Sequence, residues 1–189
     1  RGPTPCSPRS PYSAAQAAAD RLVRSYHATY GVPRLVTNTC NNFGPYQFPE
    51  KLIPLMVLNA IEGKPLPVYG DGLQVRDWLY VDDHCRALRM VLERAAPGET
   101  YNIGANCERT NLEIVERVCD LVDEMRPGRA SRSSRELIQH VVDRPGHDRR
   151  YATDADKLRR ELGWETRHAF ASAVRLTVAW YLVKPWWAA

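Results

Sequence analysis

Long stretches of the chain repeat apolar residues every three to four positions, and short apolar runs separate them. Pro11-Tyr12-Ser13 opens the first stretch, and Ala14, Ala15, Ala17, Ala18 and Ala19 are strong helix formers. Leu22, Val23 and Tyr26 extend an apolar face until Gly31, which predicts a helix to about Tyr30. Arg34 to Cys40, with Leu35-Val36 at its centre, suits a buried strand. Asn41 to Glu50 carries turn chemistry. Lys51 to Ile61 is helical by period. A short strand over Pro67–Tyr69, a turn at Asp71-Gly72 and a strand over Trp78–Val81 follow. Asp82 or Asp83 is the expected cap of a helix from His84 to Arg94. Tyr101–Ile103 reads as a strand ended by Gly104, and Thr110 or Asn111 as the cap of a helix to Met125. Residues 126–134 are low in complexity. A strand near 137–142 and helices near 154–162 and 168–183 complete the pattern.

Alternating helices and short strands imply an α/β architecture with a partly parallel sheet. No predicted strand runs into a GxGxxG or GxxGxxG turn, the usual mark of a dinucleotide-binding unit. The 189 residues suit one ordinary domain or a piece of a larger one, and 44% hydrophobic with 25% charged residues is a globular composition. The net charge of +4 is scattered apart from Arg149-Arg150 and Arg159-Arg160. That argues against a nucleic-acid stripe and weakly for an anionic ligand; a solvated basic surface accounts for it equally well.

Cysteines stand at 6, 40, 85, 107 and 119 with no CxxC pair, so reduced thiols of a cytoplasmic protein are expected. No apolar run approaches the ~20 residues that span a bilayer. The N-terminus has neither a signal-peptide core nor a starting Met. His147 has no Cys or His at metal spacing, so no metal site is expected. His27 and His84 read as structural, and Trp78, Trp164, Trp180, Trp186 and Trp187 as packing anchors.

Candidate chemistry begins at Tyr12, with Gln16 one helical turn further on the same face. Taken alone, the pair is also compatible with a Tyr that merely starts a helix. Three longer segments are more specific: Asn41-Asn-Phe-Gly-Pro-Tyr-Gln-Phe-Pro-Glu-Lys-Leu-Ile-Pro54, Pro67-Val-Tyr-Gly-Asp-Gly-Leu-Gln-Val-Arg-Asp-Trp-Leu-Tyr-Val-Asp-Asp-His84, and Asp143-Arg-Pro-Gly-His-Asp-Arg-Arg-Tyr151. With Tyr101-Asn-Ile-Gly104 they resemble, in order and spacing, the C-terminal half of the dTDP-glucose 4,6-dehydratases. That family is a branch of the extended short-chain dehydrogenase/reductases. Its implied fold is a partial Rossmann-like doubly wound sheet plus a smaller sugar-nucleotide-binding domain. Residues 1–42 would be the Rossmann remnant. Residues 43–189 would be mainly the substrate domain, with some segments returning to the sheet.

The resemblance also implies roles. Tyr12 would be the catalytic base, and Tyr12, Gln16 and Asn42 would contact NAD. Asn41, Lys51 and Leu52 would hold the sugar nucleotide. Pro67, Val68 and Tyr69 would bracket its base, and Arg76 would pair with the diphosphate. Asn111 and the run Asp143, Arg144, Pro145, Gly146 and His147 would close over the nucleotide. Each has a plain alternative: an Asx turn at Asn41-Asn42, a solvated Lys51, a surface ion pair at Arg76, an ordinary Pro-Gly turn at 143–147.

The implied reaction converts dTDP-glucose to the 4-keto-6-deoxy sugar and water with tightly bound NAD, for deoxysugar and polysaccharide synthesis. Gln16 departs from the family pattern, which has a Lys there to favour the Tyr phenolate. The phosphate-binding loop and the acid/base carboxylates would lie upstream of residue 1, so the chain is expected to be a truncated form, inactive alone. The strand at 34–40 is expected to leave an open edge and the 12–30 helix an exposed apolar face, the latter serving a homodimer. A nucleotide-sugar epimerase or decarboxylase, and a non-catalytic binding or dimerisation module, are the alternatives.

Overall fold

The computed structural model describes residues 8, 10–127 and 132–183. Cys6, Trp186 and Trp187, and most of the proline-rich start, lie outside them. Helix α1 spans Pro11–Tyr30. The Ser10 hydroxyl accepts the Ser13 N–H at its head, Pro11 tolerates a position that needs no donor, and Gly31 closes it at φ 67°. No residue of α1 is buried; Tyr12, Leu22, Val23, Tyr26 and Tyr30 all stand exposed.

There follow β1 (Val36–Thr39), β2 (Asn41–Phe43), α2 (Leu52–Glu62), β3 (Leu66–Tyr69), β4 (Val75–Tyr80) and α3 (Val81–Arg94). Then come β5 (Thr100–Ile103), β6 (Glu108–Thr110) and α4 (Asn111–Met125). A 3-10 turn at Ser134–Leu137 leads into β7 (Ile138–Val141), and β8 (Arg150–Tyr151), α5 (Asp156–Leu162) and α6 (Phe170–Val183) complete the order.

The architecture is α/β, as the alternation predicts. Strands β1 and β5 pair in parallel, as do β3 and β7. Strand β4 takes β2 and β8 in parallel and β6 antiparallel. Among the described residues β1 has no strand on its other edge, the open edge expected from the sequence. Three strands are additions to the sequence reading. Residues 41–43, expected as turn, form β2, and β6 and β8 went unpredicted. Strands of two or three residues are too short to show a period.

Two apolar clusters hold these layers. One gathers Phe43, Ile53, Met56, Trp78, Ile114 and Tyr181 between α2, α4, α6 and the β4 sheet. The other gathers Leu79, Val91, Tyr101, Ile103, Leu158 and Trp164 around β1 and β5. Thr110 caps α4 through a full capping box with Glu113, worth about 1 kcal/mol. Burial pushes the Cys40 and Cys119 thiols up to about 12, which leaves them inert packing groups.

Asp82 and Asp83 do not cap α3. Its N-cap is Tyr80, with no side-chain cap bond. Asp83, 1% exposed, turns its carboxylate to the backbone N–H groups of Arg167 and His168, to His168 Nδ1 and to Arg86 Nη2 at 2.7 Å. It thereby fastens the approach to α6 onto α3. Burial by itself would raise the Asp83 pKa, but these donors together hold it below the usual carboxylate value of 3.8. A depressed folded pKa means stability that is present above the unfolded value and lost as pH falls through the folded one. Asp83→Asn is therefore expected to cost about 2–4 kcal/mol at pH 7. The difference from the parent should shrink below pH 3.8, as read by urea denaturation across pH.

Candidate functional site

The β3–β4 connection is a tight glycine turn. Gly70 and Gly72 have φ of 58° and 73°, and a Cβ on Gly72 would sit 2.7 Å from Val68 Cγ1 and 3.0 Å from Leu112 Cβ. The turn brings the end of β3 beside the loop that follows β7. Gly70 N–H donates to Val141 O at 2.8 Å, and His140 Nδ1 lies 2.7 Å from Gly70 O. Val68 itself is core, so only its backbone and its neighbours Pro67 and Tyr69 face outward.

Asp143 organises the facing loop. Its Oδ1 accepts Arg144 N–H at 2.8 Å and lies 2.7 Å from His147 Nδ1; its Oδ2 accepts Gln74 Nε2 at 2.8 Å. The hydrogen bond from His147 comes first among the causes that lower the Asp143 pKa. Arg144 Nη2 approaches His147 Nε2 at 3.1 Å, which suits an Nδ1–H imidazole donating to Asp143 and accepting from Arg144. The same guanidinium lies 5.2 Å from the centre of the Tyr69 ring, a cation–π arrangement. Pro145 and Gly146 form the exposed tip, with Gly146 at φ 71°.

Arg76 on β4 lies against this loop. Its guanidinium donates to the carbonyls of Val75 at 2.7 Å and Asp148 at 2.8 Å. No carboxylate of a described residue pairs with it, unlike Arg149 with Asp71 or Arg150 with Glu108. Burial pulls its pKa down; Asp148 and Asp143 oppose this and Arg144 adds to it. Asn111, first in α4, reaches the same turn through its N–H to Gln74 O at 3.0 Å. The structure thus assembles Pro67–Tyr69, Arg76, Asn111 and 143–147, segments far apart in sequence, into one cluster.

The remaining predicted residues stand elsewhere. Asn41 and Asn42 are β2 residues opposite Trp78 and Leu79. Asn42 Nδ2 contacts His84 Nδ1 at 2.6 Å, while His84 Nε2 faces Thr39 Oγ1 at 3.3 Å. Burial lowers the His84 pKa, which favours the neutral ring beside Asn42. Asn42 Oδ1 is buried without a partner among the described residues. Lys51 is exposed at the α2 N-cap and pairs with Glu50 at 3.0 Å, and Leu52 packs partly into the core. Tyr12 and Gln16 share an exposed face of α1, with no hydrogen bond to the other candidates among the described residues.

Two participants escaped the sequence reading. Gln74, 2% exposed, holds Asp143; His84, read as structural, holds Asn42. Neither carries a local signal: Gln74, beside a turn, reads as surface, and His84, within α3, reads as packing. A cavity of about 180 Å³ also lies between Trp78, Tyr80, Cys107, His168 and Phe170. It includes none of the predicted residues. Among the described residues no three His, Cys, Asp or Glu side chains gather to hold a metal, and no helix is long and apolar enough to cross a membrane.

Comparison with known proteins identifies the family. The family model described as GDP-mannose 4,6 dehydratase matches residues 2–177. A dTDP-glucose 4,6-dehydratase of Xanthomonas campestris is 57% identical over 97% of the chain and 52% of its own length. That of Salmonella typhimurium is 58% identical over 97% of the chain and 50% of its length. The solved dTDP-glucose 4,6-dehydratase of Streptomyces venezuelae, with NAD bound, superimposes with a TM-score of 0.90 at 43% identity. It too is matched over 97% of the chain and 54% of its own length. The chain spans about half the length of the curated relatives it matches. With dehydratase motifs, a dehydratase-like fold and this extent of match, the chain belongs to the GDP-mannose 4,6-dehydratase family.

Proposed function

We propose that the chain is the nucleotide-sugar-binding part of a dTDP-glucose 4,6-dehydratase that forms dTDP-4-keto-6-deoxyglucose and water. The observation that carries this reading is Arg76. A half-buried guanidinium bonded only to two carbonyls, with no carboxylate partner among the described residues, is a cation prepared for an anion. Diphosphate oxygens match its fork geometry. Tyr69 with its neighbours Pro67 and Val68 offers a ring and strand backbone for the base, and Asp143 through His147 lies across from them. Asn41, Lys51, Leu52 and Asn111 complete the set toward the sugar and diphosphate.

Residues 1–42 on this reading belong to a Rossmann unit, and 43–189 mainly to the substrate part. The β1–β5 pairing, which returns residues 100–103 to the first strand, supports that division. NAD is the cofactor, and when bound it supplies the hydride acceptor. The buried, unpartnered Asn42 Oδ1 suits a carboxamide donor there. Tyr12 takes the proton of the sugar hydroxyl, and Gln16 holds a ribose hydroxyl without offering charge. The exposed α1 face of Leu22, Val23, Tyr26 and Tyr30 serves a homodimer, and the protein is cytoplasmic. A second reading, a non-catalytic binding module, is favoured only by Gln16 in place of Lys. An epimerase or decarboxylase is disfavoured by the Asp143–His147 segment.

Three results are expected. Calorimetric titration with dTDP gives micromolar binding, roughly −8 kcal/mol, which Arg76→Ala weakens at least tenfold; a parent that does not bind would refute the nucleotide site. Gln16→Lys, in a protein uniting this chain with a phosphate-binding half, raises turnover by about tenfold or more, since a nearby cation favours the phenolate. Unchanged turnover would dismiss the charge argument. Light scattering finds the parent self-associated, and Leu22→Glu with Tyr26→Glu reduces the particle mass; a monomeric parent would count against the α1 interface.

A further inference from the structure

Gln74 sits in the β3–β4 turn, 2% exposed, with no role assigned by the reading above. One amide of its side chain joins two segments of the cluster: Nε2 donates to Asp143 Oδ2 at 2.8 Å and to Tyr69 O at 3.4 Å. Its backbone carbonyl takes the N–H of Asn111, the third segment, at 3.0 Å. Asp143 then passes the constraint on, since its other oxygen faces Arg144 N–H and His147 Nδ1. The fit around this link is close. A Cβ on Gly70 would stand 3.1 Å from Asp143 Oδ2, so the carboxylate is packed against the turn as well as bonded to it.

The other end of the same side chain is the telling feature. Gln74 Oε1 is buried with no hydrogen-bond partner among the described residues. An orphaned buried acceptor costs stability, and an apolar residue of similar size would avoid that cost. Stability alone therefore does not explain an amide here. The Nε2 bond to Asp143 does.

We propose that Gln74 is a positioning residue for the nucleotide site: through Asp143 it holds the 143–147 loop, with His147 fixed and Arg144 stacked over Tyr69, across from β3. The proposal rests on the nucleotide-sugar reading of that cluster, and the test separates the two. Gln74→Glu places a second carboxylate beside Asp143, so the two repel and the loop is released. Asp143→Asn presents an amide to the Gln74 amide. With its oxygen kept by Arg144 and His147, the introduced amide can meet Gln74 only if the Gln74 amide turns over, which gives up the Tyr69 carbonyl and leaves Nε2 buried and unpaired. The double variant, Gln74→Glu with Asp143→Asn, restores the pair in reverse. The introduced asparagine donates through its amide to the introduced glutamate, and its oxygen still accepts from Arg144 and His147.

The measurement is hydrogen exchange of the amides in 143–148 on the 189-residue chain, with dTDP titration in parallel. Each single variant is expected to speed loop exchange and weaken dTDP about tenfold, the scale of one hydrogen bond to a charged group. The double variant is expected to recover both toward the parent. Lowering the pH toward 5 should partly recover Gln74→Glu alone, as the carboxylate pair comes to share a proton. Parent-like exchange in both single variants, or a double variant no better than the worse single one, overturns the assignment; the second outcome also identifies a variant that only damages the fold. Should exchange be rescued while the parent fails to bind dTDP, the nucleotide reading falls and with it the positioning role, leaving only a structural link.

Discussion

Strand β4 has partners on both edges. Its first half pairs with β6 and β8, its second half with β2, and Trp78 N–H bonds Cys107 O just before β6 begins. Between these edges Asp77, 1% exposed, points its carboxylate at the N–H groups of Ala105 and Cys107. A buried carboxylate is tolerable only when donors surround it. The loop after β5 supplies them, which requires Gly104, where a Cβ would lie 2.6 Å from Asp77 Oδ2. The β5–β6 loop, β2 and β8 are thus all set in place by one strand.

The candidate site inherits its geometry from that strand. Arg76 precedes Asp77 and follows the glycine turn, so the residue that would meet the diphosphate stands on a backbone that cannot shift without breaking ladders on two sides. The opposing loop, 143–149, is exposed and less constrained: its ties are Asp143 to Gln74, Asp148 O to Arg76, Arg149 to Asp71, and the start of β8. A wall fixed by backbone ladders thus faces a loop fixed by side-chain links. Helix α1 is different again. With no buried residue, its local support is capping and alanine propensity, and its apolar face stands exposed among the described residues.

Much of this was legible along the chain. Alanine-rich periodicity placed α1 to its final residue, and Leu52 through Ile61 marked α2 because an amphipathic repeat survives whatever packs on it. Thr110 or Asn111 was the expected cap of α4, and the structure selects Thr110 through its box with Glu113. The short strands were not legible. Asn41–Phe43 has the composition of a turn, and only the exposed-edge demand of β4 makes it a strand. Asp83 was misread as a cap for a similar reason. Its acid matched helix-start statistics, yet its donors come from residues 167 and 168, more than eighty positions away.

The site divides along the same line. Motif content was enough to identify the family, to name Tyr69, Arg76, Asn111 and Asp143–His147 as ligand candidates, and to single out Gln16 as the departure, since these are matters of residue type and order. Their convergence, the lack of an ion-pair partner for Arg76 among the described residues, and the parts of Gln74 and His84 were decided by tertiary structure alone. Hydrogen bonds between residues 69 positions apart, and burial that turns a surface-like amide into an internal link, depend on which chain segments meet. A linear pattern records what each residue offers; only the fold determines which offers are taken up.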